Sequence, residues 1–179
     1  MSLAIVYTRA ALGIEAPLIT VEVHLSNGLP GLTMVGLPET TVKEARDRVR
    51  SALINSGYAF PAKKITINLA PADLPKEGGR YDLPIALALL VASEQLNTTR
   101  LNQYEFVGEL ALTGGLRGVP GAIPSAMEAI KAGRRIVVSS DNAAEVGLIG
   151  GSDCLVADHL QEVCAFLAGQ TSLSPPLAE

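Results

Sequence analysis

The feature that most constrains the fold is an apolar run from Leu83 to Ala92. This run is far shorter than the roughly 20 residues that a membrane-spanning helix needs. It also has no polar side, so a helix formed from it must be covered by other elements all round. We therefore expect a buried central helix over Leu83–Ser93, with Asp82 as its N-cap and Pro84 in its first turn.

Strand and helix patterns alternate on both sides of this helix. Period-two alternation of apolar and polar residues predicts strands, and Ile19–Leu25 and Ile65–Leu69 show it most clearly. The other predicted strands are Leu3–Thr8, Leu32–Val35, Glu105–Leu112, Arg135–Val138 and Cys154–Ala157. The other predicted helices are Thr41–Ser56, Gly121–Ala132, Asn142–Leu148 and His159–Leu167. This order predicts an α/β or α+β domain with a mixed sheet.

Composition restricts the kinds of binding partner and the cellular compartment that we expect for this chain. The net charge of −4 is unusual for a free-standing nucleic-acid binder, so any DNA contact must use a local basic patch. The chain has two cysteines, Cys154 and Cys164, and two histidines. We expect no zinc site and two buried, reduced thiols. Neither a signal peptide nor a membrane span is visible, which predicts a soluble, cytoplasmic protein without a membrane partner.

Basic residues concentrate on the first long helix, which Thr40 or Thr41 is expected to cap. The helix carries Lys43, Arg46, Arg48 and Arg50, and further basic residues follow it. Two interpretations stay open: a solvated helix face balanced by nearby acidic residues, or a surface that follows DNA phosphates or contacts a neighbouring subunit. The DNA-binding candidates are Lys43, Arg46, Arg50, Lys63, Lys64, Lys76 and Arg80.

Motifs for nucleotide binding and hydrolysis are missing. The sequence has no GxxxxGK[ST] and no GxSxG, and its glycines from Gly114 to Gly121 do not form GxGxxG. The loop from Ala70 to Asp82 mixes acidic and basic residues, which favours a salt-bridged surface over an acid–base pair. We predict no enzymatic activity, no cofactor and no metal for this segment.

Four long stretches closely resemble the ComM/YifB family of bacterial magnesium-chelatase-like proteins. They are Asn68–Ala86, Gly31–Glu39, Lys43–Ser51 and Gly108–Gly118. The resemblance covers residues 1–169 and implies the N-terminal domain of a protein whose next module is an AAA+ ATPase that binds ATP and Mg²⁺. Residues 170–179 then form a linker towards that module.

The same resemblance implies the activity of the whole protein. It implies a hexameric, ATP-driven DNA helicase that promotes branch migration during natural transformation. The domain itself is expected to bind DNA, to assemble the ring, or both. Its expected partners are its own AAA+ module, further copies of the chain, and DNA held weakly or only by the full-length ring.

The segments around the apolar helix also resemble the proteolytic domain of Lon protease. In Lon-type enzymes a catalytic Ser precedes the helix and a catalytic Lys follows a Gly-Gly-Leu turn. The resemblance puts Asp82 at the serine position and Arg117 at the lysine position of this sequence. Asp forms no acyl-enzyme of this kind, and a permanently protonated Arg cannot act as a base. The resemblance thus implies a Lon-like fold without its catalytic dyad.

Other interpretations of these positions remain. Asp82 and Arg117 could form an ion pair, or they could be a plain helix cap and a surface turn residue. Two rival functions are a Lon-type peptide hydrolase with a displaced nucleophile such as Ser125, and an oligomerisation scaffold that touches no DNA.

Overall fold

A four-stranded sheet made by the first part of the chain supports the rest of the fold. The computed structural model describes residues 2–149 and 153–176. The strands are β1 (Leu3–Arg9), β2 (Leu18–Ser26), β3 (Gly31–Val35) and β4 (Lys64–Ala70), in the spatial order β1-β2-β4-β3. Only the β3–β4 pair is parallel. Alternation along the strands places Val6, Val21 and Ile67 in the core, as the period of two predicts.

Two helices cover the apolar face of this sheet. Helix α1 (Glu39–Asn55) connects β3 to its parallel neighbour β4, and α2 (Asp82–Ala92) packs against β1, β2 and α1. Every residue of α2 except Val91 is buried. The prediction of a central apolar helix is therefore confirmed.

The second half of the chain forms a parallel sheet and a hairpin. The sheet joins β5 (Tyr104–Phe106), β8 (Arg135–Ser139) and β9 (Cys154–Ala157), and the hairpin pairs β6 (Glu109–Leu110) with β7 (Leu116–Arg117). The helices of this half are α3 (Ala122–Lys131), α4 (Ala143–Val146) and α5 (Leu160–Leu167), and short 3-10 turns lie at Leu101–Gln103 and Ser140–Asn142. Strand β8 buries Ile136 and Val138 against α3 and turns Val137 towards the main core. The chain is thus a mixed α/β protein, as predicted.

A buried network of ion pairs connects the four-stranded sheet to the parallel sheet of the second half. Glu105 on β5 is fully buried, and its two carboxylate oxygens accept from Arg9 Nε on β1 at 2.7 Å and from Arg134 Nη1 at 3.0 Å. The guanidinium of Arg134 also lies over the ring of Tyr7, 4.0 Å from its centroid. Two cations around one carboxylate satisfy a charge that would otherwise be too costly to bury.

Three local predictions were wrong. Pro38, not Thr40 or Thr41, occupies the N-cap of α1, and Tyr81, not Asp82, occupies that of α2; neither cap makes a side-chain hydrogen bond. The strand predicted over Glu105–Leu112 is divided into β5 and β6. Gly108 leaves the ladder between them because it exchanges backbone hydrogen bonds with the start of α2, accepting from Leu83 N at 3.0 Å and donating to the carbonyl of Arg80 at 3.1 Å.

Further observations concern the thiols, the helices and the C-terminal segment. Cys154 and Cys164 are buried and unpaired, which confirms their predicted burial. Within the described ranges, no helix has the length and apolar character needed to cross a membrane.

In the predicted linker, Leu173 packs on the core and the carbonyl of Ser174 accepts from Val156 N at 2.9 Å. Residues 177–179 of that segment lie outside the described residues.

Candidate functional site

The first candidate site is a buried ion pair at the start of α2. The carboxylate of Asp82 accepts from Arg48 Nε at 2.7 Å and from Arg48 Nη2 at 3.3 Å, so the pair is bidentate. A third bond comes from the backbone N–H of Leu110 at 3.1 Å. The carboxylate is thus held from α1 and from β6.

Burial dominates the protonation equilibrium of this carboxylate. Desolvation raises the pKa of Asp82 to about 6, although the hydrogen bonds and positive charge of Arg48 act in the opposite direction. The hydrogen bond with Asp82 in turn raises the pKa of Arg48. Asp82 therefore gains or loses its proton in the mildly acidic pH range, while Arg48 stays protonated.

A cleft of about 590 Å³ opens beside this pair. Arg48, Glu44 and Glu109 line it, with Glu109 Oε1 3.7 Å from Arg48 Nε. Its remaining walls come from the loops 11–13, 75–80 and 118–120. The loop carrying Gly79 lies so close that an added Cβ would be 2.6 Å from Glu109 Cγ. No described group of three His, Cys, Asp or Glu side chains could hold a metal ion here or elsewhere.

The ion-pair partner of Asp82 is Arg48, which corrects the hypothesis of an Asp82–Arg117 pair. Arg117 is exposed on β7, and among the residues that the structure describes no hydrogen bond or ion pair joins it to Asp82. The two sequence positions carried over from Lon-type enzymes therefore do not act together. Arg48 belongs to the predicted basic cluster, but the sequence contains no local signal that it turns inward to a residue 34 positions away.

The second candidate site is a basic surface formed by Lys43, Arg46, Arg50, Lys63 and Lys64. All five side chains reach solvent, with that of Arg46 42% exposed. The guanidinium of Arg50 lies over the ring of Phe60, 5.2 Å from its centroid, which connects the helix to the loop that carries the two lysines. This contact places Arg50 beside the loop that leads to Lys63 and Lys64.

Lys76 and Arg80 do not belong to the basic surface, which corrects their assignment as DNA-binding candidates. Each is 3% exposed. Lys76 Nζ donates to the carbonyls of Pro71 at 2.6 Å and Leu74 at 3.0 Å. Both side chains are largely buried, and their polar groups bond to backbone carbonyls.

Arg80 spans three parts of the fold. Its guanidinium donates to the carbonyls of Arg9 at 2.9 Å and Pro120 at 2.6 Å, and to Ser125 Oγ at 2.8 Å. Ser125 is itself fully buried. A guanidinium has no lone pair to accept a proton, so Arg80 cannot activate Ser125 as a nucleophile.

Comparisons with known proteins identify the class of this chain. A family model described as subunit ChlI of Mg-chelatase matches residues 21–142. The chain is 78% identical over its whole length to the YifB protein of Salmonella typhimurium, and 77% identical over 98% of its length to YifB of Escherichia coli. It is 60% identical over 99% of its length to the competence protein ComM of Haemophilus influenzae.

The matches confirm the resemblance seen in the sequence. The chain belongs to the ComM/YifB family of magnesium-chelatase-like proteins. It spans 35% of the length of each of these three relatives.

Proposed function

We propose that this chain is the non-catalytic N-terminal domain of an ATP-dependent, hexameric DNA helicase that acts in branch migration during natural transformation. The 60% identity to a competence protein supports this process. The observation that carries DNA contact by the domain is the solvent access of the basic side chains on α1 and the following loop, those of Lys43, Arg46, Arg50, Lys63 and Lys64. ATP and Mg²⁺ belong, in this proposal, to an AAA+ module elsewhere in the cytoplasmic full-length protein.

Charge sets the expected strength of this contact. The chain has a net charge of −4, so attraction to DNA is confined to the basic surface and a single domain binds weakly. A ring presents several copies of the surface to one DNA molecule, and this multivalency raises the overall affinity. Ring assembly and DNA binding therefore support each other in this proposal.

The proposal includes a Lon-protease-like fold without a catalytic dyad. Asp82, at the position that the resemblance gives to the nucleophile, is held by two bonds from Arg48 and one from Leu110 N. Ser125, the displaced nucleophile of the rival hydrolase, is buried and receives a hydrogen bond from Arg80. Both side chains are buried, and in the described part of the chain no hydrogen bond joins either of them to a group that could take up a proton, as nucleophilic catalysis requires.

Fluorescence anisotropy with labelled single-stranded, duplex and forked DNA tests the proposal. We expect affinity that falls linearly on a log–log plot against salt, because each neutralised phosphate contributes a slope of roughly −0.7 on single strands or −0.9 on duplex DNA. Three to five contacts correspond to a slope between about −2 and −5. Absence of binding at low salt would instead assign the domain to contacts between subunits.

A further inference from the structure

A pocket of about 560 Å³ lies beside the basic surface. Its volume falls within the range of roughly 300–1,000 Å³ that small organic ligands occupy in proteins. One wall is the end of β2 with the turn at Ser26 and Asn27, the second is the loop 59–63, and the third is the end of α2 at 92–95. Lys63 belongs both to the basic surface and to the wall of this pocket.

Hydrogen bonds hold the walls of the pocket in place. The side chain of Gln95 accepts from Ala59 N at 2.8 Å and donates to the Ala59 carbonyl at 2.8 Å, which ties the end of α2 to the loop. Its neighbour Glu94 has φ of 62°, a left-handed conformation that is uncommon for residues other than glycine. The pocket is therefore preorganised, and the strained backbone at its edge is of the kind found at functional sites.

The chemistry of the walls fits a flat heterocycle that is joined to an anion. Ala59, Pro61, Ala62 and Ala92 provide apolar surface for the faces of a ring. Lys63 Nζ donates to Asn27 Oδ1 at 2.9 Å, and because no described residue accepts from the Asn27 NH₂ group, that group can donate to the edge of a ring. Lys63 is the basic residue of this lining, which also includes the acidic Glu94, and its ammonium group can bind a phosphate linked to the ring.

We propose that this pocket receives an unpaired nucleobase of single-stranded DNA whose adjoining phosphate binds Lys63. The inference rests on the proposed contact of the basic surface with DNA and specifies which form of DNA it takes. A base in a duplex is paired and stacked, and its extrusion costs a few kcal/mol. An unpaired base enters without that cost, so the pocket selects single strands.

The test compares three DNA ligands of equal length on the 179-residue chain by anisotropy: an oligothymidine, an abasic oligomer with the same phosphates, and a duplex. We expect the oligothymidine to bind about tenfold more tightly than the abasic oligomer, because only the former buries the apolar faces of a base against the pocket walls. Ala62→Leu, which fills the pocket without changing charge, should remove most of this difference. Ala132→Leu, an exposed position at the end of α3 that does not line the pocket, is the matched control and should preserve it.

The outcomes separate this inference from the proposed function. Equal affinity of the wild-type chain for the oligothymidine and the abasic oligomer, with a steep salt dependence, would overturn the pocket and leave DNA binding by the basic surface intact. Absence of binding to all three ligands would overturn both. The comparison of ligands needs only the wild-type chain, so it is decisive even if Ala62→Leu does not fold.

Discussion

Asp82 brings a negative charge into the interior, and Arg48 is the residue that makes its burial tolerable. The carboxylate is fully buried, whereas the side chain of Arg48 keeps 21% of its surface exposed. The sequence identified Asp82 as the residue at the nucleophile position of the Lon resemblance, but it proposed the wrong partner. Contacts between α1 and α2 decide the pairing, and no sequence pattern within either helix reports them.

Substitution Arg48→Gln should destabilise the fold in a pH-dependent way. The folded pKa of Asp82, about 6, exceeds its ordinary value of 3.8, so the unfolding free energy of the wild type falls as pH rises through this window. The ion pair between Asp82 and Arg48 forms only above this pH window, because only there is Asp82 ionised. Loss of Arg48 should therefore cost roughly 2 kcal/mol at pH 8 and much less at pH 5, measured by urea unfolding.

Arg46→Gln is the matched control for this experiment, because Arg46 lies on the same helix and its sole ion pair with a described residue is a surface contact, 3.7 Å from Asp47. It should change stability by less than about 0.5 kcal/mol at either pH. An Arg48→Gln variant with the same loss at pH 5 and pH 8 would show that Asp82 is not the group that titrates.

Lys76 and Arg80 show where inference from residue type fails. Both stand in a loop rich in Pro, Gly and charge, which is typical of an exposed segment. In the fold their polar heads bond to backbone carbonyls, including those of Arg9 and Pro120, which are distant in sequence. Long cationic side chains can satisfy buried acceptors in this way, and a single sequence gives no sign of it.

At the scale of elements, hydrophobic periodicity located nearly every helix and strand. It worked because one-sided burial imposes a period of two on β2 and β4 and because complete burial makes α2 uniformly apolar. It failed at Gly108, where backbone hydrogen bonds to the start of α2 interrupt a strand-like sequence. Residue type also predicted side-chain caps at the N-termini of α1 and α2. The residues that occupy those N-caps, Pro38 and Tyr81, make no side-chain hydrogen bond.

The junction between β3 and α1 depends on Gly36. Its φ is 98°, and an added Cβ would lie 2.3 Å from the backbone carbonyl oxygen of Leu69 on β4. We predict that Gly36→Ala costs more than about 4 kcal/mol, because both the backbone angle and the packing exclude a side chain. Thermal unfolding followed by circular dichroism measures this loss.

Gly57, which follows α1, provides the control. Its φ is 89°, but an added Cβ would meet nothing within 4 Å. Gly57→Ala should therefore cost only about 1–2 kcal/mol, the backbone term alone. Equal losses at the two glycines would contradict the close approach of β3 and β4 at Leu69.

At the scale of the whole molecule, α2 packs against β1, β2, α1 and β6, and the Arg9–Glu105–Arg134 network connects the two sheets. The 18 acidic residues outnumber the 14 basic ones and give the chain its negative net charge. The basic surface lies on α1, which also carries Glu44 and Asp47, and on the loop that follows it. The family could be inferred from the sequence because its motifs are long. The pocket could not, because its three walls come from parts of the chain that only the tertiary fold brings together.

Charge reversal on the basic surface tests the central claim most directly. Lys43→Glu with Arg50→Glu should weaken DNA binding at low salt by about tenfold or more and make the salt slope shallower, because two phosphate contacts become repulsive. Arg117→Glu with Lys131→Glu changes the net charge equally at exposed positions outside this surface. The account predicts near-wild-type affinity for this control pair in the same anisotropy assay. Equal losses in both pairs would show a non-specific charge effect, and unchanged binding in the Lys43 and Arg50 pair would place DNA elsewhere.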